Sequence, residues 1–387
     1  MSIKPINLNE DIQRLINNGY TASIENNCLV VRDVPYLDES KTVHEDGILF
    51  DTYLHNPSDH TFRFSAIPHT SDGKEFFVAS KINGWNGFDA KSQLSFKKSD
   101  GKSQIAYTDH FDKTTYYIQI MESHAKSVNP EVSARKYRPT DTSKVDDIPF
   151  QYQDLNSSRA GINHINEKVK GQKIAIIGLG GTGSYVLDFV SKSHVAEIHI
   201  FDDDKFYTHN AFRTPGAANK DILDKAIAKV DYLKSVYSNT HKGIKAHAYR
   251  ATPEVIENEF QNCDFAFICI DSNEAKKSLL LKLIEKSISF IDCGIAVDEV
   301  EGSLSGTIRL TTLTPDKNDH IDKRLHFDNS KEDVYGSNIQ IAELNALNAT
   351  LAVIKWKRIL GFYHNHENEH HSTYMFNCNS LSNDEKI

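Results

Sequence analysis

The sequence predicts an α/β protein in which a doubly wound, mostly parallel sheet over residues 146–387 is preceded by a β-rich α+β domain over residues 1–145. Three observations predict it. From residue 173 onward, short β-branched runs alternate with amphipathic stretches, and such alternation builds a parallel sheet with helices on its faces. The first of these runs, KIAIIG, leads directly into a glycine-rich turn, GLGGTGS, spanning Gly178 to Ser184. Before residue 146, short apolar-polar alternations are separated by turn residues, and no helix pattern dominates.

In the first domain NNCLVVRDVPYL, DGILFDTYLHN, HTFRFSAIPHT and TTYYIQIMES read as strands joined by loops. KYRPTDTSKVDDIPFQYQDLNSSRAG is polar and proline-punctuated, as a connector is. In the second domain KIAIIG is a buried strand, and TGSYVLDFVSKSH has helical spacing at Val186, Phe189 and Val190. AEIHIFDDD is the next strand, and LDKAIAKVDYLKSVY one amphipathic helix through Ile227, Val230, Leu233 and Val236. IKAHAYRA, CDFAFICID and SISFIDCGI supply further strands. A last helix carries Ile341, Leu344, Leu347, Leu351 and Ile354 as its sheet-facing stripe and stops at Gly361. The whole is a Rossmann-like arrangement, which binds ligands at the carboxyl ends of its strands.

With 387 residues, 39% hydrophobic and 25% charged, the chain can bury the cores of two domains. MSIKPINLNEDIQ has no apolar signal core, and no apolar run approaches the roughly 20 residues of a membrane span. A cytoplasmic protein with no membrane partner is expected. The net charge of −9 argues against a nucleic-acid partner, because phosphate backbones are bound by clustered Lys and Arg. Cys28, Cys263, Cys269, Cys293 and Cys378 form no CxxC pair, which fits a reducing compartment and offers no zinc spacing.

The glycine turn alone admits three readings. Gly178, Gly180, Gly181 and Gly183 let a backbone approach a phosphate at a helix N-terminus, and Asp202 ends the second strand where a carboxylate can accept ribose hydroxyls. A nicotinamide dinucleotide, ATP, or simple helix packing would each suit. The residues downstream separate them: Asp202, Asp204, Asn210, Arg213 and Lys225 follow in order, and Asp271 ends a later strand in CIDSN. This ordered set resembles the ThiF/MoeB and ubiquitin-activating (E1-like) adenylyltransferase family, over roughly Ser157 to Phe362.

The resemblance implies an ATP-dependent activating enzyme that adenylates the C-terminal carboxylate of a ubiquitin-like protein with a Gly-ending tail. It implies that Asp202 holds the ribose, that Asn210, Arg213 and Lys225 hold phosphates, and that Asp271 binds Mg2+; Asp204 matches a second acidic position. Arg159 matches the position from which one subunit reaches into its neighbour's ATP site, which makes a homodimer the expectation. VRDVPYL, DHTFRF and YTDHFDKTTYY resemble, more weakly, the domain that accompanies ThiF-like proteins of bacterial ubiquitin-like conjugation operons. That resemblance makes the first domain a partner-recognition module and leaves room for a ubiquitin-conjugating-like partner. An NAD(P)-dependent oxidoreductase and a non-catalytic scaffold are the alternatives.

Departures from the family pattern bear on the acceptor. The long polar stretch from Thr311 to Asn338 contains no cysteine, so transfer to the chain's own thiol is not expected. Cys293 reads as filler at a buried strand end, and Cys378 as part of a terminal strand. HNHENEHH, His364 to His371, reads as a solvated loop, as do Asp59, His60 and His110.

Overall fold

The computed structural model describes residues 10–53, 60–76, 78–99, 103–139, 147–270, 273–325 and 339–386. The chain forms two compact units: Met1–Val145 with Tyr152–Gly161, and Asp146–Gln151 with Ile162–Ile387.

The first unit opens with α1 (Glu10–Asn17), then β1 (Thr21–Glu25), β2 (Cys28–Leu37), β3 (Val43–Thr52), β4 (Thr61–Phe64), β5 (Val78–Lys81) and β6 (Ser92–Ser95). It closes with α2 (His110–Lys126) and α3 (Leu155–Arg159). The strands make one antiparallel sheet in the order β1-β2-β3-β4-β6-β5. Alternation along β2 sends Leu29 and Val31 into a core shared with Tyr117, Ile118 and Met121 of α2, while Val30 meets Phe50 on the other face.

α2 corrects the expectation that TTYYIQIMES is a strand. Its β-branched and aromatic residues favour a strand, but Lys113, Thr114, Tyr117, Ile118, Met121 and Ala125 are buried at helical spacing. Asp109 caps the helix, its side chain accepting the Asp112 N–H at 2.7 Å. Tertiary packing and the cap outweigh propensity. His110 is buried as the first residue of this helix rather than solvated, and Asp59 lies outside the described residues.

The second unit begins with α4 (Asn163–Asn166), β7 (Lys173–Ile177), α5 (Gly181–Val190), β8 (Glu197–Phe201), α6 (Thr208–Ala211), α7 (Lys220–Lys225), α8 (Lys229–Tyr237) and β9 (Ile244–His247). It continues with α9 (Pro253–Glu259), β10 (Phe265–Ile268), α10 (Asn273–Glu285), β11 (Ser289–Val300), β12 (Ser303–Leu313), α11 (Ile321–Arg324), α12 (Ala342–Ile359), β13 (His371–Met375) and β14 (Ser380–Asp384). Strands β11-β10-β7-β8-β9 are parallel, and β12, β13 and β14 extend the sheet antiparallel. Both faces are covered. Ile174 and Ile176 of β7 pack under α5, α8 and α12, while Ala175 and Ile177 pack against α9 and α10. This is the predicted doubly wound, Rossmann-like architecture, preceded in the chain by a β-rich unit.

Two expectations about helices change. LDKAIAKVDYLKSVY is not one helix: Ala226 adopts the left-handed conformation (φ +44°), and α7 and α8 lie on either side of it. The break is held because Phe206 N–H donates to Ile227 O at 2.8 Å and Lys229 N–H to Asp204 O at 2.9 Å. On α12, the buried residues are Asn345, Asn348, Ala349, Ala352, Val353, Lys355 and Trp356, and Leu344, Leu347 and Leu351 are only half-buried, with Ile354 exposed. The helix approaches α5 so closely that a Cβ on Gly181 would strike Asn345, so small and polar residues occupy the contact.

The histidine run also divides. His364 and His366 stack on each other, but Glu369, His370 and His371 are buried, and His371 opens β13. Cys378 is exposed in the turn between β13 and β14. Of the polar stretch Thr311–Asn338, residues 326–338 lie outside the described residues. Among the described residues, no helix is long and apolar enough to cross a membrane.

Buried neutral histidines make this unit sensitive to acid. The His241 ring accepts the Gly243 N–H at Nδ1 (3.0 Å) and donates from Nε2 to Val195 O (3.1 Å), so a second proton would set two donors face to face. Burial holds its pKa down at about 4, and burial does the same at His371. Both folded-state pKa values lie below the ordinary 6.5, so their stability contribution is full above pH 6.5 and is lost as pH falls toward 4. Each histidine should cost about 1 kcal/mol at pH 5.5, roughly 2–4 °C in melting midpoint. Thermal melts from pH 7.5 to 5 should show this slope, and His241→Gln should flatten it.

Candidate functional site

The chain passes from β7 to β8 and β9 on one side, then returns through β10 to β11 on the other, so the strand order reverses between β7 and β10. A crevice opens at the carboxyl ends of the strands at such a reversal. Here it is a cavity of about 440 Å³, lined by the glycine turn, by Asp202–Asp204 after β8, by Arg250 after β9 and by Cys269 after β10. Lys276, Cys293, Gly294, Arg309 and Asn345 complete its wall.

The glycine turn is shaped by contacts that exclude a side chain. Gly178 has φ +88°, and a Cβ there would lie 2.7 Å from Cys269 O. A Cβ on Gly183 would collide with Gly178 O, and one on Gly181 with Asn345. At Gly180 a Cβ would meet nothing within 4 Å, so the backbone lies open to the cavity. Gly180 caps α5 without any side-chain hydrogen bond, which leaves first-turn N–H groups for a ligand.

Asp202 is tied to this turn. Its Oδ2 accepts the Leu179 N–H at 2.7 Å, and its Oδ1 accepts the Asp204 N–H at 2.9 Å and lies 3.3 Å from Lys229 Nζ. A carboxylate has about four acceptor positions, so these contacts leave one for a ligand hydroxyl. Asp204 pairs with Lys229 at 2.7 Å, and that hydrogen bond holds its carboxyl below the usual range. Asp202→Asn would face an amide donor with N–H and ammonium donors. We expect it to weaken nucleotide binding about tenfold and to destabilise the fold by about 2 kcal/mol, read by calorimetry and a denaturant titration.

Among the described residues the cavity is lined by Lys229 and Lys276, and Lys229 is the one paired with the carboxylates after β8. Lys225, expected there from the sequence, ends α7 and does not line the cavity, whereas Lys229 begins α8 with its side chain 6% exposed between Asp202 and Asp204. Arg213 lines the cavity, and its Nε is buried without a hydrogen-bond partner. It is the one lining cation that makes no ion pair among the described residues. Asn210 is fully buried but outside the lining; its Oδ1 accepts the Tyr207 N–H at 2.8 Å and so braces the start of α6. Arg159 is exposed in the last turn of α3 in the first unit and does not line the cavity. Asp271 lies outside the described residues.

Further cations were not anticipated from sequence. Arg250 pairs with Asp203 at 2.8 Å, and the fully buried Asp292 is held between Lys276 and Arg309, the latter at 3.0 Å. Asp202, Asp203 and Asp204 each bring an oxygen within 4.8 Å of one another, but Lys229 and Arg250 already pair with them, so the triplet is poorly suited to a cation. The cavity as a whole presents Arg213, Lys229, Arg250, Lys276 and Arg309 beside a bare backbone turn. That is a setting for a phosphorylated ligand with a ribose-like diol.

Fold and site together define a doubly wound nucleotide-binding domain. The family model for ThiF matches residues 153–387, and the chain belongs to the ThiF family. A second model, for a domain of unknown function (DUF6791), matches residues 10–155. Curated relatives include ubiquitin-like modifier-activating enzyme 5 of Caenorhabditis elegans, 23% identical over 200 residues, which covers 47% of this chain and 46% of that protein. The same enzyme of Culex quinquefasciatus is 24% identical over 161 residues, covering 38% and 39%. The chain thus spans less than half the length of these relatives. Among solved structures, PaaA matches with TM-score 0.46 and 17% identity, covering 60% of this chain and 80% of that one. Escherichia coli MccB with ATP matches with TM-score 0.47 and 16% identity, covering 60% and 69%.

Proposed function

We propose that this protein is an ATP-dependent adenylyltransferase that activates the C-terminal carboxylate of a ubiquitin-like protein with a Gly-ending tail, releasing pyrophosphate. The observation that carries the reading is the lysine–carboxylate knot of Lys229, Asp202 and Asp204 beside a glycine turn with an open Gly180 backbone. ThiF membership and the partial likeness to ubiquitin-like modifier-activating enzyme 5 support the same reading. A bacterial ubiquitin-like conjugation pathway, a cytoplasmic site, a homodimer completed by Arg159 and a partner-recognition role for residues 1–145 belong to this proposal. So does a division of the chain at 145/146.

The chemistry asks little of acid–base groups. A terminal carboxyl has a pKa of about 3.3–3.7, so it is ionised at neutral pH and attacks without a general base. Its oxygen forms a bond to the α-phosphorus of ATP, the bond from that phosphorus to the bridging oxygen breaks, and the electron pair leaves with pyrophosphate. The barrier is charge repulsion between two anions. Arg213 and Lys229 supply positive charge where it builds up, the turn's N–H groups hold phosphate, and Asp202 orients the ribose. Mg2+, for which Asp271 is the proposed ligand, supplies further neutralisation when bound.

The test is isotope exchange between pyrophosphate and ATP in the presence of ubiquitin-like proteins with Gly-ending tails. Exchange that requires the tail's free carboxylate is expected. Binding of NAD(P)H without binding of ATP would replace this reading with an oxidoreductase.

A further inference from the structure

β10 and β11 run parallel with Ile268 opposite Asp292, so the residues that follow, Cys269 and Cys293, stand side by side at the carboxyl end of the sheet. Both belong to the apolar layer beneath α5 and α12, so their side chains leave the sheet on one face, and both line the cavity. Neighbouring strands lie about 4.7–4.9 Å apart, within the roughly 4.4–6.8 Å Cα separation that a disulfide bridges. The Cys269 side chain beside it, together with burial, raises the Cys293 pKa. Cys263 precedes β10 at the opposite end of that strand, Cys378 sits in an exposed turn, and Cys28 lies in the other unit.

We propose that Cys269 and Cys293 form a thiol–disulfide switch under the nucleotide site, closed by a hydroperoxide and opened by a dithiol, with closure weakening ATP binding. The coupling to ATP rests on the nucleotide reading given above. Cys269 is the more exposed sulfur and reacts first. Its sulfur attacks one peroxide oxygen, an S–O bond forms, the O–O bond breaks, and the leaving hydroxide takes the thiol proton to become water. The Cys293 sulfur then attacks the Cys269 sulfur. An S–S bond forms, the S–O bond breaks, and the departing hydroxyl leaves with the Cys293 proton as a second water. Two electrons pass from the sulfurs to the peroxide, and thiol–disulfide exchange returns them.

Closure reaches the nucleotide through Cys269. A disulfide draws two sulfurs to about 2.05 Å, closer than thiols in contact, and so pulls Cys269 toward β11. The glycine turn rests on that residue: a Cβ on Gly178 would lie 2.7 Å from Cys269 O, and one on Gly183 would lie 3.2 Å from Cys269 Cβ. There is no slack to absorb the movement. A shift of roughly 1 Å in a positioning element can cost about a hundredfold.

The full chain is treated with hydrogen peroxide and alkylated, its peptides are mapped by mass spectrometry, and ATP·Mg2+ affinity is measured by calorimetry before oxidation, after it, and after dithiothreitol. The expected result is a Cys269–Cys293 linked peptide, an affinity loss of at least about tenfold, and recovery on reduction. In Cys269→Ser the ratio of affinities before and after peroxide should be about one, and Cys293→Ser should give a dimedone adduct at Cys269 with no linked peptide. Absence of the linked peptide, or a linked peptide with unchanged ATP affinity, overturns the proposal. A reduced protein that binds no ATP defeats the nucleotide reading and the coupling, while a linked peptide would still establish the bridge.

Discussion

Gly183→Ala should lower ATP affinity and pyrophosphate exchange by about a hundredfold in a protein that still folds. The added Cβ would fall well inside 3.0 Å of Gly178 O, closer than real Cβ atoms come to a neighbour. Gly178 cannot retreat, because its own α-hydrogen face is pressed against Cys269 O and Ile270. The first turn of α5 must therefore lift off the end of β7, taking with it the N–H groups that would hold phosphate. The strain is of the overpacking kind, about 1–3 kcal/mol, so the fold should survive it. Gly180→Ala provides the contrast: its Cβ enters open space toward the cavity, so ATP affinity should drop while the melting midpoint stays within about 2 °C of wild type. Equal destabilisation of both variants would contradict the assignment of separate packing and ligand-facing glycines.

Lys229→Ala should have the second large effect, and Lys225→Ala almost none. Removing Lys229 leaves Asp202, whose side chain is 8% exposed, as an uncompensated buried charge, at a cost of about 3 kcal/mol. It also removes a cation from the cavity, for which a loss of about a hundredfold in exchange rate is expected. Asp204 is largely exposed and tolerates the loss. Lys225 ends a short helix outside the cavity, so its removal should change stability by less than about 0.5 kcal/mol and leave exchange nearly intact. Paired denaturant titrations and exchange assays on the two variants read both effects. A larger loss in Lys225→Ala than in Lys229→Ala would overturn this picture of the site.

The contrast between these lysines shows where sequence stops being legible. The order of β7, the glycine turn, β8 and Asp202 could be read from periodicity alone, because a buried parallel strand and a glycine turn leave a local signature. Lys229 could not, because its place depends on a left-handed Ala226 that no glycine or proline announces. The pairing of residues 227–229 with 204–206 decides the matter, and such pairing is invisible to a helical count across LDKAIAKVDYLKSVY. Lys225 and Lys229 are one helical turn apart in the sequence, and only the break at Ala226 sets Lys229 against Asp202 and Asp204.

On the last helix, too, the buried face is set by a tertiary contact. Ile341, Leu344, Leu347, Leu351 and Ile354 form a continuous apolar stripe, yet the buried face carries Asn345, Asn348, Ala349, Ala352, Val353, Lys355 and Trp356. Close approach to Gly181 selects small and polar residues there, and hydrophobicity is a poor guide where two helices nearly touch. In the first unit TTYYIQIMES is helical because Tyr117, Ile118 and Met121 reach the sheet's core at helical spacing, and Asp109, which caps the helix, is its local signature in the sequence. Arg250 follows β9, Lys276 lies on α10 and Arg309 in the middle of β12, far apart in sequence, and only the folded sheet gathers them.

Titration calorimetry of the reduced full chain with ATP·Mg2+, and separately with NADH and NADPH, tests the central claim most directly. Saturable 1:1 binding of ATP·Mg2+, weakened about a hundredfold by Lys229→Ala, is expected, with no binding of either dinucleotide. Saturable binding of a nicotinamide dinucleotide with no response to ATP would contradict it.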